Sequence, residues 1–181
     1  GAGERLQAGQ VHVRGQMDGE AIYTKLCVVC HKADRTGYGA DNAPSLATQS
    51  FLESVTDEQL RRSIGQGRPG TVMAGYDKEV GGPLDAIALS KLSFFLRSKG
   101  GPPVMLPPTP GGDPKRGEAL YHEHCESCHG TAETRGTAVH LMNPKFLEHA
   151  SDAFLKWAIV KGRAPTPMPA WLGKLQDTQI D

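Results

Sequence analysis

Two copies of one five-residue pattern constrain this chain more than anything else in it. They are Cys27-Val28-Val29-Cys30-His31 and Cys125-Glu126-Ser127-Cys128-His129, and they hold all 4 cysteines. A CxxC pair alone serves as a redox disulfide or as half of a zinc site, and four thiolates can meet in one such site. A disulfide closed within CxxC is strained. Neither use explains a histidine directly after the second cysteine at both places. Covalent haem attachment does. Each thiol adds to one vinyl group of the porphyrin, and the tether places the imidazole under the iron as an axial ligand. The sequence therefore predicts two haem c groups, one on Cys27 and Cys30 and one on Cys125 and Cys128, with His31 and His129 on the irons.

The surroundings of the two motifs repeat as well. Gly19-Glu20-Ala21-Ile22-Tyr23 recurs as Gly117-Glu118-Ala119-Leu120-Tyr121, 98 positions later. Downstream the offset becomes 95: Phe51-Leu52-Glu53 matches Phe146-Leu147-Glu148, and Gly67-Arg68 matches Gly162-Arg163. Thr71 and Met73 match Thr166 and Met168, and Tyr76 is answered by Trp171. The change of offset puts three extra residues in the first repeat, between His31 and Phe51. The pattern is a tandem duplication of one haem domain.

Periodicity gives each repeat an all-α reading. Ile22 and Leu26 stand four apart on an amphipathic helix that runs from Met17 into the haem motif. Thr56-Asp57-Glu58-Gln59 is a capping box opening a short helix with Leu60 and Ile64 on one face. Glycines and Pro69 then break the chain into a loop that presents Met73. A last helix over Asp85 to Lys99 carries Ile87, Leu89, Leu92, Phe95 and Leu96. No run alternates convincingly with the period of a strand. The domains read as 17–99 and 113–181, with a tail 1–16 and a Pro/Gly-rich linker 100–112. Five prolines in those thirteen residues favour an extended strap, and Val104, Met105 and Leu106 are placed to dock it on a domain surface. With 38% apolar and 6% aromatic residues the protein core is thin for two domains, and a haem in each supplies the missing volume.

Charge narrows the partners. Lys plus Arg equals Asp plus Glu at 20 each, which leaves no net field to recruit nucleic acid or an anionic membrane. No apolar run approaches the roughly 20 residues of a membrane-spanning helix. The chain opens Gly1-Ala2-Gly3 without a signal peptide, as a processed or trimmed product would.

The order CxxCH, proline loop, short helix, glycine-rich loop with Met, closing amphipathic helix resembles class I cytochromes c over residues 17–181. Two in tandem are similar to dihaem periplasmic cytochromes and to two-haem subunits of respiratory complexes. The resemblance implies His and Met axial ligation, single-electron transfer between redox protein partners, and a periplasmic location or another outside the cytoplasmic membrane. A membrane-bound respiratory or photosynthetic complex is among the partners implied. The family proline that orients the proximal His matches Pro44, whereas the second loop offers only Pro144 in a different setting. In this family the closing helix crosses the first one over a small residue and an aromatic, here Gly19 and Tyr23, then Gly117 and Tyr121. The second repeat reaches only the first turn of that helix by Asp181. The expectation is that the chain is a fragment, or that another segment or chain covers Tyr121.

Met73 and Met168, at equal places in equal loops, are the expected distal ligands, since a thioether suits haem iron. Met142, His140, Met105 and Met17 are the rivals, and a core-filling Met is the plain alternative. Arg68 and Arg163 are expected on haem propionates, with surface arginines as the alternative. Tyr76 and Trp171 are expected at the haem edges, with ordinary packing as theirs. With His and Met on each iron, neither keeps a position for substrate, so the chain reads as an electron carrier without catalytic residues. The contrasting reading is a dihaem redox enzyme, similar to a thiosulfate dehydrogenase or a peroxidase.

Overall fold

Capping side chains set where the helices begin. Thr56 and Ser151, 95 residues apart, each accept a hydrogen bond from the backbone N–H three residues on, at Gln59 and Phe154. Asp85, Asp113 and Asn143 do the same for their helices, satisfying N–H groups that lack a partner within the helix. The computed structural model describes residues 18–181. The tail 1–16 and Met17 lie outside the described residues. In the first half, helix α1 covers 18–26, α2 Val28–His31, α3 Gln49–Ser54, α4 Asp57–Gln66 and α5 Ala86–Arg97. The second half has α6 Pro114–His124, α7 Glu126–His129, α8 Pro144–His149, α9 Asp152–Lys161 and α10 Asp177–Ile180. The fold is all-α. Among the described residues, β pairing is limited to isolated bridges such as Asp77 with Leu84.

Two helices differ from the sequence expectation. The helix into the haem motif breaks at Cys27, whose φ of −118° leaves the helical range, and a separate turn carries Cys30 and His31, its His31 N–H on the Cys27 carbonyl at 2.9 Å. Cys125 breaks the second copy in the same way, with His129 N–H on its carbonyl at 3.0 Å. In α5, Leu89, Leu92, Phe95 and Leu96 are buried as the period demands, but Ile87 is 69% exposed. It lies in the first turn, before the helix meets its neighbours.

The core of the first half gathers Tyr23, Leu60, Ile64, Leu84, Leu92 and Phe95, and Phe154 of the second half completes it. Burying a phenylalanine this fully contributes about 2 kcal/mol. Two arginines lash the frame. Arg97 donates to the Leu52 carbonyl at 2.7 Å and to the Val55 carbonyl, and pairs with Asp57, tying α5 to the α3–α4 corner. Arg35 donates to the Phe95 carbonyl at 2.7 Å, satisfying the end of α5, with its guanidinium 4.4 Å from the Phe95 ring centre.

The two halves meet across a pseudo-two-fold seam. Helix α3 packs on α9, and its repeat equivalent α8 packs on α4. Arg68 lies 5.9 Å from the ring centre of Phe146, and Arg163 lies 5.9 Å from that of Phe51, its mirror image. Ion pairs Arg62–Glu148 and Arg135–Asp41 also cross the seam. The linker runs along the first half: Val104 N–H donates to the Glu53 carbonyl at 2.9 Å and Leu106 packs against the core, but the Val104 side chain, expected to dock, is 43% exposed. Met105, expected to dock, is 96% exposed. In an extended strand neighbouring side chains point to opposite sides, so it faces away.

Candidate haem sites

Each proximal histidine is oriented through its own Nδ1. His31 is buried, and its Nδ1 lies 2.9 Å from the carbonyl of Pro44. His129 Nδ1 lies 2.7 Å from the carbonyl of Val139. A carbonyl there fixes the tautomer with hydrogen on Nδ1 and leaves Nε2 as the free lone-pair nitrogen, the arrangement of an imidazole that ligates a metal. Pro44 thus stands where the family comparison put it. Pro144 does not serve the second site: it opens α8, and Val139 acts in its place. The offset of 95 already pairs Pro44 with Val139, inside Ala43-Pro44-Ser45-Leu46 and Ala138-Val139-His140-Leu141. What the site uses is a main-chain oxygen, which does not need proline.

The tyrosine of each first helix supports this from behind. Tyr23 Oη donates to the Lys32 carbonyl at 2.7 Å, and Tyr121 Oη to the Gly130 carbonyl at 2.6 Å. Each bond pins the residue after its histidine. Above Tyr23 the closing helix is packed hard: a Cβ on Gly19 would come within 2.2 Å of the Lys91 carbonyl oxygen. Among the described residues nothing comes within 4 Å of the corresponding point on Gly117. Helix α10, the counterpart of the first turn of α5, packs on α6 and α9, and Tyr121 is half-buried.

The methionine loops match bond for bond. Arg68 N–H donates to the Met73 carbonyl at 2.8 Å and Arg163 N–H to the Met168 carbonyl at 3.0 Å. The backbone N–H of each Met turns onto a threonine hydroxyl, Thr71 at 3.0 Å and Thr166 at 3.3 Å. Gly67 and Gly162 open these loops with φ +68° and +65°, and a Cβ on either would strike the far strand of the loop at 2.5 Å. Only glycine combines that backbone conformation with that approach.

In the second half these parts surround one cavity of about 300 Å³. Cys125, Cys128, His129, Met168 and Trp171 line it together, with apolar walls that include Leu120 and Ile159. The rivals to Met168 are elsewhere. Met142 is 39% exposed and is not part of the wall, and His140 Nε2 is engaged 2.7 Å from the Thr131 carbonyl. In the first half, the Tyr76 hydroxyl donates to the Leu26 carbonyl at 3.3 Å beside the motif. Its ionisation is pushed up by burial first, then by Cys27 and Cys30. Met73 is half-buried.

The cysteines suit addition to vinyl groups. Burial, and next Cys30, push the Cys27 thiol up to about 11, and burial with Cys128 raises Cys125. Among the described residues no three His, Cys, Asp or Glu side chains gather as a metal site would need, so the two pairs do not form one zinc centre.

Arg68 and Arg163 lie in the seam and not on the cavity wall. Arg68 donates to Ser63 Oγ at 2.8 Å and meets His149 Nδ1 at 3.3 Å; Arg163 donates to Ser50 Oγ at 3.2 Å. Burial alone pushes Arg163 down to about 10, and it also lowers Arg68. Among the described residues neither pairs with a carboxylate. Sequence reasoning missed Tyr38 and His124, which also line the second cavity, and the ring of His124 stands 5.1 Å from that of Trp171. His124 was readable from its place next to Cys125. Tyr38 comes from the other repeat and left no local signal.

Comparison with known proteins places these sites in a family. A family model described as cytochrome c oxidase, cbb3-type, subunit III matches residues 15–90 and 112–181. The chain is 29% identical over 172 residues to the cbb3-type cytochrome c oxidase subunit FixP of Bradyrhizobium diazoefficiens, covering 90% of the chain and 56% of that protein. It is 26% identical over 180 residues to subunit CcoP of Azospirillum sp., covering 90% of the chain and 57% of the relative. The chain thus spans little more than half the length of these relatives. Among solved structures, a reducing HAO-like protein complex of Kuenenia stuttgartiensis aligns with a TM-score of 0.47 at 19% identity, over 90% of both chains.

Proposed function

Because the chain belongs to the family of subunit III of cbb3-type cytochrome c oxidases, we propose that it carries single electrons through two covalently bound haems, one in each of two domains, 17–99 and 113–181. The observation that carries this reading is the second cavity, where both cysteines and the histidine of a CxxCH motif meet a methionine from a loop 39 residues downstream. When bound, the haem iron supplies reversible one-electron exchange.

The chain's own residues do the rest. Cys27 and Cys30, and Cys125 and Cys128, hold the porphyrin by thioether bonds. His31 and His129 present Nε2, held by the Pro44 and Val139 carbonyls. Met73 and Met168 offer sulfur from loops stiffened by the threonine hydroxyls. Tyr76 and Trp171 close the edges against water. Arg68 and Arg163 are half-buried in the seam, off the cavity wall and without a carboxylate partner among the described residues, and they leave positive charge there for any haem propionate that reaches the seam. A histidine and a methionine available to each haem iron would leave it no position for substrate, which favours a carrier over a dihaem redox enzyme. The partners are redox proteins, and the family supports a place in a membrane-bound respiratory complex, outside the cytoplasmic membrane. Among the described residues no helix is long and apolar enough to cross a membrane.

Intact mass after acid–acetone extraction tests attachment, and a redox titration followed in the visible and near-infrared tests ligation. Two haems retained on the chain, each with a sulfur-to-iron band, are expected. A chain that loses its haem to the acetone phase would refute the reading.

A further inference from the structure

The three extra residues of the first repeat turn out to have a place. The Gly39 N–H donates to the Cys30 carbonyl and the Ala138 N–H to the Cys128 carbonyl, both at 2.9 Å, so Gly39 and Ala138 are structural equivalents. Pro44 and Val139, the next common point, are five residues beyond Gly39 but one beyond Ala138. The first repeat therefore has four residues more just past Gly39, where Asp41 and Asn42 stand, offset by one residue fewer between His31 and Gly39 than between His129 and Ala138, a net three. Both reach across the seam to the loop that follows the second haem motif. Asp41 Oδ1 accepts from Arg135 Nη1 at 2.9 Å, Arg135 Nη2 donates to the Asp41 carbonyl at 3.2 Å, and Asn42 Nδ2 donates to the Gly136 carbonyl at 3.2 Å. Asp41 Oδ2 also accepts from the Val72 N–H at 3.0 Å, beside Met73.

Tyr38 sits immediately before this insertion. Its N–H donates to the Ala43 carbonyl at 2.7 Å, closing the inserted loop on itself. Tyr38, Asp41 and Asn42 all have left-handed backbone, with φ of 57°, 49° and 53°. Asp and Asn enter that region readily, whereas Tyr38 holds it against its bulk, which its contacts must offset. The consequence is that Tyr38, a residue of the first half, lines the second half's cavity next to Cys128. Its hydroxyl is raised by burial and then by Cys128. On the other side of Tyr38 a smaller cleft of about 210 Å³ opens between the halves, walled by Pro165 and Thr166.

We propose that the first half completes the second haem site: Tyr38 is a wall of that site beside Cys128, and the inserted Asp41 and Asn42 clamp it there. This rests on the reading of the cavity as a haem site. Tyr38 is 39% exposed in the protein chain alone, and with a haem in the cavity its ring would stand between the porphyrin and the open cleft and keep water out. Water favours the more highly charged oxidised iron, so the ring raises the potential of the second haem and leaves the first alone.

The test uses the full chain with haem attached, and haem is counted first by intact mass; fewer than two haems defeats the underlying reading and not this one. The second potential is identified as the one displaced in Met168→Ala. Tyr38→Ala is expected to shift that potential downward and to make the second iron accessible to added imidazole, with the first potential unmoved. Tyr38→Phe keeps the ring and keeps the potential. Asp41→Ala discriminates by sign. Loss of an anion alone raises a nearby potential, whereas loss of the clamp lets water in and lowers it, so a downward shift is expected. The proposal is overturned if Tyr38→Ala leaves the second potential and imidazole access at their wild-type values, or if Asp41→Ala moves the second potential upward.

Discussion

Gly19 and Gly117 occupy the same place in the two repeats, and the structure predicts opposite outcomes for the same substitution. A Cβ on Gly19 would lie 2.2 Å from the Lys91 carbonyl oxygen and 2.7 Å from the Phe95 Cβ. These atoms belong to the frame of α5, so no side-chain rotation relieves the clash and the helix must move. Overpacking of that kind costs about 1–3 kcal/mol. Against it stands the gain of alanine over glycine inside a helix, about 1 kcal/mol. At Gly117 only the gain remains, because nothing described comes within 4 Å. Gly19→Ala is therefore expected to be neutral to clearly destabilising and Gly117→Ala to stabilise by about 0.4–1 kcal/mol. The two variants should differ by about 1–3 kcal/mol, or about 2–12 °C in midpoint for a chain of this length. Thermal unfolding of the haem-loaded full chain, followed by far-UV circular dichroism, measures both. If Gly117→Ala proves as destabilising as Gly19→Ala, a further segment packs over Gly117 and the asymmetry drawn here is wrong.

Met168→Ala should open the second iron to carbon monoxide and lower its potential, while Met142→Ala should leave the spectrum unchanged; visible spectra under carbon monoxide decide between them. Arg97→Ala strands the Leu52 and Val55 carbonyls, and a loss of about 3 kcal/mol is expected in denaturant titration. His149 is held below its ordinary value of 6.5 by burial first, then by Arg68 and Arg62, against a smaller opposing effect of Glu148. Its folded pKa is thus below the unfolded one, so the stability of the seam is intact above pH 6.5 and falls as acid protonates the unfolded chain preferentially. His149→Ser should flatten that acid-side loss in urea midpoints taken from about pH 8 to about pH 5.

The haem motifs, the helices α1, α4 and α5 and the methionine loops were legible because each is written within one repeat and then written again, whereas the short α3 and α8 were not read. Periodicity found α4 and the buried face of α5, and the capping threonine placed the start of α4 correctly. What escaped was whatever depends on the main chain or on the other repeat. The Val139 carbonyl was invisible to a search for proline, since any residue supplies that oxygen. Arg68 and Arg163 were legible as a pair but not as a seam, because the phenylalanine each one faces lies in the opposite half. Ile87 was misplaced because a helical period reports which residues share a face and not how far along the helix that face is covered.

The duplication also explains how the seam is built and where it departs from symmetry. Two copies of one domain meeting about a two-fold axis bring the same surface against itself, so each residue that helps one side helps the other. Arg68 over Phe146 and Arg163 over Phe51 are that case. At an offset of 95, Ser54 corresponds to His149, and each lies beside the opposite half's arginine: Arg163 Nη2 is 3.5 Å from Ser54 Oγ, and Arg68 Nη1 is 3.3 Å from His149 Nδ1. The serine is neutral at every pH, whereas the histidine is not, so one face of a symmetric seam has become sensitive to acid. The inserted Asp41 and Asn42 break the symmetry a second time, because the second repeat lacks the residues that would form the equivalent contacts. A fully symmetric seam would make the two haem sites interchangeable. These two departures, with Pro44 against Val139 and Tyr76 against Trp171, give the two CxxCH sites different surroundings.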